Sequence, residues 1–230
     1  MALEIAPIYD ALWRQAMAHY AEGRVEIDPY LAEPQNDRRL GVTVIARPSP
    51  EVRERLMTFI RRMVEVEPEQ YFYRATDLHV TILSLFTATE RWEPHFARLS
   101  DYLDACAEVL SQAERFTVEF RGVTAAPGAI LCQGFPCNEA LNALRDRLRE
   151  ALHRRNLGQG LDVRYRLVTA HMTLMRFQRP PSALPLLIDL LQAHRDVHFG
   201  QTTFASLQVV KNDWCMRTEK VEALAEHRLL

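Results

Sequence analysis

Two short stretches of this chain set an imidazole two residues from a hydroxyl inside apolar runs. They are His79-Val80-Thr81-Ile82-Leu83-Ser84-Leu85 and His171-Met172-Thr173-Leu174-Met175-Arg176-Phe177. Side chains alternate along an extended strand, so each histidine shares a face with its threonine while Val80 or Met172 points the other way. Imidazole titrates near pH ~6.5, so a neutral and a protonated histidine can coexist around neutrality as base and acid. Cleaving a phosphodiester needs that pair, one group for the attacking oxygen and one for the departing oxygen, with donors on the equatorial oxygens. The Thr81 and Thr173 hydroxyls can donate there. This chemistry requires no metal and no cofactor, and none is expected.

Among 8 histidines, about one His-x-Ser/Thr is expected by chance. Two at equivalent places, preceded at identical offsets by Tyr73-Arg74 and Tyr165-Arg166, point to an internal duplication. The elements that must carry the motifs repeat as well. The first half reads as strand 40–46, helix 52–63, strand 76–86, helix 92–110 and strand 116–123; the second as strand 129–135, helix 139–153, strand 165–177, helix 183–194 and strand 199–210. Each half is β-α-β-α-β, which predicts a single α+β domain of two lobes, roughly 40–125 and 128–210, with two antiparallel-type sheets around a central cleft and the helices outside. Apolar residues at helical spacing predict an N-terminal helix over 7–22, and a tail follows from Lys211 to Leu230. Both lie outside the repeat and could cap the cleft.

Bulk properties narrow the classes. A formal charge of -2 excludes a protein that coats long nucleic acid by counterion release, so a phosphate must be held locally. Lys211 and Lys220 are the only lysines among 28 basic residues; the arginines suit bidentate phosphate contacts, though genomic base composition explains the bias equally well. Cys106, Cys132, Cys137 and Cys215 show neither zinc-ligand spacing nor disulfide density, which predicts reduced thiols in a cytoplasmic protein; no stretch approaches the length of a membrane span, and a monomer is expected.

The paired motifs resemble those of the two-histidine phosphoesterase superfamily, which includes the RNA 2′,3′-cyclic phosphodiesterases historically called 2′-5′ RNA ligases. The resemblance spans roughly residues 40–210, and the second motif matches the H-x-T-L-x-R form common in the ligase-like branch. It implies a metal-independent cyclic phosphodiesterase in which His79 and His171 act as base and acid, in an order left open, while Thr81 and Thr173 hold the phosphate. Its partner would be a nucleotide or RNA terminus bearing a cyclic phosphate. A small phosphodiester metabolite, or a non-catalytic nucleotide binder of the same fold, are the alternatives.

Other residues carry weaker expectations. Arg176 could bind substrate, but alternation places it on the face opposite Thr173 unless the strand bulges. Tyr73 and Tyr165 could stack on a base, with core packing the competing reading. Asp77 and Thr169, two residues before the histidines, could orient them. Trp214 and Lys211 read as local packing, and His153, His194, His198 and His227 as solvent-facing.

Overall fold

The computed structural model describes residues 5–163 and 165–230. In chain order its principal elements are α1 (Ala6–Ala21), β1 (Leu40–Ala46), α2 (Pro50–Val66), β2 (Tyr71–Phe72), β3 (Val80–Thr89), α3 (Glu93–Phe96), α4 (Leu99–Leu110), β4 (Phe116–Ala126), β5 (Ala129–Pro136), α5 (Ala140–Arg154), β6 (Met172–Arg176), α6 (Leu184–Gln192), β7 (His198–Phe204), β8 (Ser206–Asn212) and β9 (Glu222–Arg228). Local chemistry accounts for the boundaries. Ser49 caps α2 by accepting from the Val52 N–H, with Pro50 in the first turn where a missing donor costs nothing. The helix expected over 92–110 is two pieces, because Arg98 leaves helical geometry and donates to the Arg155 and Asn156 carbonyls.

The strands form two antiparallel sheets, ordered β3-β1-β8-β9 and β2-β6-β5-β4-β7. This is the α+β architecture expected, but the sheets do not coincide with contiguous halves. In each, the first strand of one half (β1 or β5) is flanked by its own second motif strand (β3 or β6) and by a strand from the other half (β8 or β4). The run 199–210 is therefore two strands; β7 pairs with β4, and after Ala205 the chain passes to β1 in the other sheet. Helices follow the same exchange, with α2 packing on β6 and β7 while α5 packs on β3. Apolar residues from both sheets, including Val44, Ile82, Phe120, Ile130 and Leu174, are fully buried. Each such side chain contributes about 1.5–3 kcal/mol.

The extensions are docked rather than loose. On α1, Tyr9 donates its hydroxyl to Gly134 O and accepts from Gly134 N, both at 3.0 Å, and Tyr20 donates to Ala126 O. This helix covers β4 and β5 instead of the cleft. The tail supplies β9, an edge strand on β8.

Candidate active site

Both motif strands begin one residue later than the histidines, at Val80 and Met172, so His79 and His171 stand at the strand entrances. Val80 and Met172 are buried on the core side, while both histidines and both threonines line one pocket of about 160 Å3. Alternation from histidine to threonine therefore holds. It then breaks in the same way on each strand. Along β3 the partners of Leu83 and Thr81 are the consecutive residues Val44 and Ile45, leaving Ile82 as an extra residue; along β6 the partners of Met175 and Thr173 are Ile130 and Leu131, leaving Leu174 extra. These matched bulges reset the pleat, so Ser84 and Arg176 also face the pocket.

The two imidazoles are held by different partners. His79 Nδ1 lies 2.7 Å from the Asp77 carbonyl, which can only accept, so the proton sits on Nδ1 and Nε2 is left with its lone pair. His171 Nδ1 lies 2.7 Å from Thr169 Oγ1, a hydroxyl that can donate or accept, so this ring can carry a proton on Nε2 as a neutral or a cationic group. Burial, followed by the charges of Arg47 and Arg176, pushes His79 down to about 4. Burial, followed by Arg145, His79 and Arg176, takes His171 down to about 4 as well. The pocket is thus a cationic, partly desolvated site that keeps both imidazoles neutral at neutral pH.

Asp77 orients His79 through its carbonyl rather than its carboxylate. That carboxylate is buried and accepts from Thr218 N and from Arg74 Nε, tying the tail to the motif loop. Thr169 orients His171 directly. Arg176 lines the pocket with Nε donating to the Tyr73 hydroxyl at 3.0 Å, and among the described residues it forms no ion pair with a carboxylate. Tyr73 is buried as a support for Arg176 and does not offer a free face; burial pushes its phenol up to about 12. Tyr165, by contrast, is 57% exposed at the pocket, beside Val163 at 66%. The equivalent Tyr-Arg pairs therefore serve different ends, and Arg166 pairs with Asp146.

Trp214 also lines the pocket, with the guanidinium carbons of Arg39 at 4.7 Å and Arg176 at 5.9 Å from its ring. Lys211 pairs with Glu222 outside the pocket. His194 is not solvent-facing: it is 8% exposed, accepts from Arg62 Nη1 at 2.8 Å and packs on Phe59. Asn212 lines the pocket, its buried Oδ1 without a hydrogen-bond partner among the described residues while Nδ2 donates to Asp213 O. Thr43 joins from β1, and no sequence motif marks either residue. Among the described residues no group of three or more His, Cys, Asp or Glu is placed to hold a metal ion, and no helix is long and apolar enough to cross a membrane.

A duplicated antiparallel frame with two histidine–threonine strands facing one pocket defines a two-histidine phosphoesterase. The chain belongs to the 2′-5′ RNA ligase superfamily, which it matches over residues 48–213. Its fold is similar to that of TT0787 from Thermus thermophilus, at 18% identity and a TM-score of 0.59 over 82% of this chain and 97% of that one. It is also similar to E. coli LigT, at 13% identity and a TM-score of 0.53 over 84% and 99%. The MHV ns2 PDE domain aligns at 14% identity with a TM-score of 0.50 over 74% of this chain and 97% of its own. No curated protein matches the sequence. Family membership supports a phosphoesterase activity of the phosphodiesterase type.

Proposed function

We propose that this chain opens 2′,3′-cyclic phosphates on nucleotides or RNA ends, without a metal, with His79 as base and His171 as acid. The observation that carries the order is the difference in Nδ1 partners. A ring fixed as the Nδ1–H tautomer by the Asp77 carbonyl presents a lone pair at Nε2, as a base requires, whereas the Thr169 hydroxyl tolerates a proton on either nitrogen of His171. In the reaction, His79 Nε2 takes a proton from water as its oxygen attacks phosphorus. The ring P–O bond breaks, and His171, which takes up a proton when the phosphate anion binds, gives its Nε2 proton to the released ribose oxygen and is left neutral. A phosphomonoester and a free hydroxyl result, and exchange with solvent returns both rings to their starting states. Thr81, Thr173 and Arg176 bind the non-bridging oxygens, whose charge offsets the desolvation that keeps His171 neutral.

Pocket size favours a chain end or nucleotide over an enclosed metabolite. About 160 Å3 is small beside the roughly 300–1,000 Å3 of sites that bury a whole ligand, so a base would lie at the mouth, where Tyr165 and Val163 are exposed. LigT has been crystallised with ATP, with 3′-AMP and with phosphate, which supports the same ligand class here. The test is hydrolysis of an oligonucleotide ending in a 2′,3′-cyclic phosphate, in the presence of a chelator, by wild type, His79→Ala and His171→Ala. Loss of about 10²–10⁴ in rate in each variant is expected. Equal rates in all three proteins would remove the assignment.

A further inference from the structure

Arg145 belongs to α5, the helix of the second half that crosses to pack on β3. It is 0% exposed, and among the described residues its hydrogen bonds all end on neutral oxygens. Nε donates to Ile82 O at 2.8 Å, and Nη2 donates to Thr81 O at 2.9 Å and to Thr169 O at 2.8 Å. Nη1 donates to its helix neighbour Asn142 at 3.3 Å. Three of the four acceptors are backbone carbonyls of the two motif segments. Thr81 and Ile82 are the threonine and the extra residue of the β3 bulge, and Thr169 is the residue whose hydroxyl holds His171. One side chain thus spans both halves of the site from behind.

A buried guanidinium is costly to desolvate and ordinarily sits against a carboxylate. Among the described residues no carboxylate forms an ion pair with Arg145; the nearby acids Asp146 and Asp162 engage Arg149 and Arg166 instead. Burial, and next the like charge of Arg149, draw Arg145 down only to about 10, so it stays protonated at neutral pH. Asp162 and Asp146 therefore act on its charge only from a distance, and no carboxylate among the described residues touches it, in a low-dielectric interior where charge acts strongly on its surroundings.

We propose that Arg145 is a positioning residue for the reaction: it fastens the β3 bulge to the segment bearing Thr169 and His171, and it holds a positive charge with no carboxylate in contact among the described residues behind the phosphate site. Its part in turnover rests on the cyclic-phosphate reading above; the placement and the charge do not. After burial, Arg145 is the largest influence keeping His171 neutral, which gives its charge a readout separate from its hydrogen bonds. Lysine in its place keeps the charge but has no planar fork to reach Thr81, Ile82 and Thr169 together. Methionine keeps much of the length and removes charge and donors.

The experiment compares wild type with Arg145→Lys and Arg145→Met by NMR titration of His171, calorimetric binding of inorganic phosphate, and steady-state turnover of a 2′,3′-cyclic nucleotide. Arg145→Met should raise the His171 midpoint by about one pH unit or more and weaken phosphate binding about tenfold. Arg145→Lys should leave that midpoint near the wild-type one and lower kcat about tenfold, with KM changed less than about threefold. A folded Arg145→Met protein with wild-type midpoint and phosphate affinity overturns the charge role, and wild-type kcat in Arg145→Lys overturns the positioning role. If Arg145→Met does not fold, the lysine variant decides alone by its kcat. If wild type turns over no cyclic phosphate, the titration and the phosphate isotherms still read Arg145, so the two proposals fail separately.

Discussion

Ile82 on β3 and Leu174 on β6 are structural equivalents, each the residue that its partner strand skips. The consequence is chemical. A regular strand would send the residue three past threonine to the core side, but the bulges turn Ser84 and Arg176 back toward the pocket. The duplication therefore extends from the motif letters to a shared backbone irregularity.

Replacing Arg176 should chiefly weaken binding. It lies in the pocket beside Thr173 with no carboxylate partner among the described residues, and a hydrogen bond to a charged group contributes about 1.5–3 kcal/mol. Arg176→Met is expected to raise KM for a cyclic nucleotide about 10–100-fold, with a smaller effect on kcat, as initial-rate kinetics would reveal.

Thr169→Val should do the opposite. Valine matches the shape but leaves His171 Nδ1 without its hydroxyl, so the ring loses a fixed orientation. Expected is a fall in kcat of about 10–100-fold with KM nearly unchanged, and recovery in Thr169→Ser. Equal kcat in the valine and serine variants would exclude this role.

Acid stability carries the mark of the two histidines. Both titrate near 4 in the folded protein, below the ~6.5 of the unfolded chain, so the unfolded chain holds more protons between those values. Their linkage is fully favourable above about pH 6.5 and is lost as pH falls through about 4. The double variant His79→Gln/His171→Gln should therefore lose less Tm than wild type on going from about pH 7 to about pH 5 in thermal melts.

Gly134 allows β5 to pass directly beneath Ala170, the residue before His171. A Cβ at that position would collide with the Ala170 carbonyl. Gly134→Ala is expected to cost about 1–3 kcal/mol, read as a lower urea midpoint at unchanged m, and to reduce turnover through displacement of His171.

The site was legible in the sequence where chemistry and a period of two coincide. His79, Thr81, His171 and Thr173 announce themselves because polar groups on a buried strand demand a reason. The bulges left a fainter trace in the adjacent apolar pairs Ile82-Leu83 and Leu174-Met175, each followed by a polar residue. Arg145 interrupts the apolar face that Leu141, Leu144 and Leu148 lay along α5, a local signal that belongs to neither histidine motif. Strand exchange left no trace, because the alternation of β4 or β8 is the same whichever sheet it joins. Asn212 acquires its place through β8 pairing with β1 across a long stretch of chain, a relation no local pattern encodes.

The crossing of β4 and β8 also bears on how the chain can be divided. Cut between Ala126 and Ala129, neither fragment holds three neighbouring strands of a sheet, since the first keeps only the pair β1–β3, the second the pairs β5–β6 and β8–β9, and every other pairing crosses the cut. By the same logic, the two severed pieces should be inert apart and regain structure when combined.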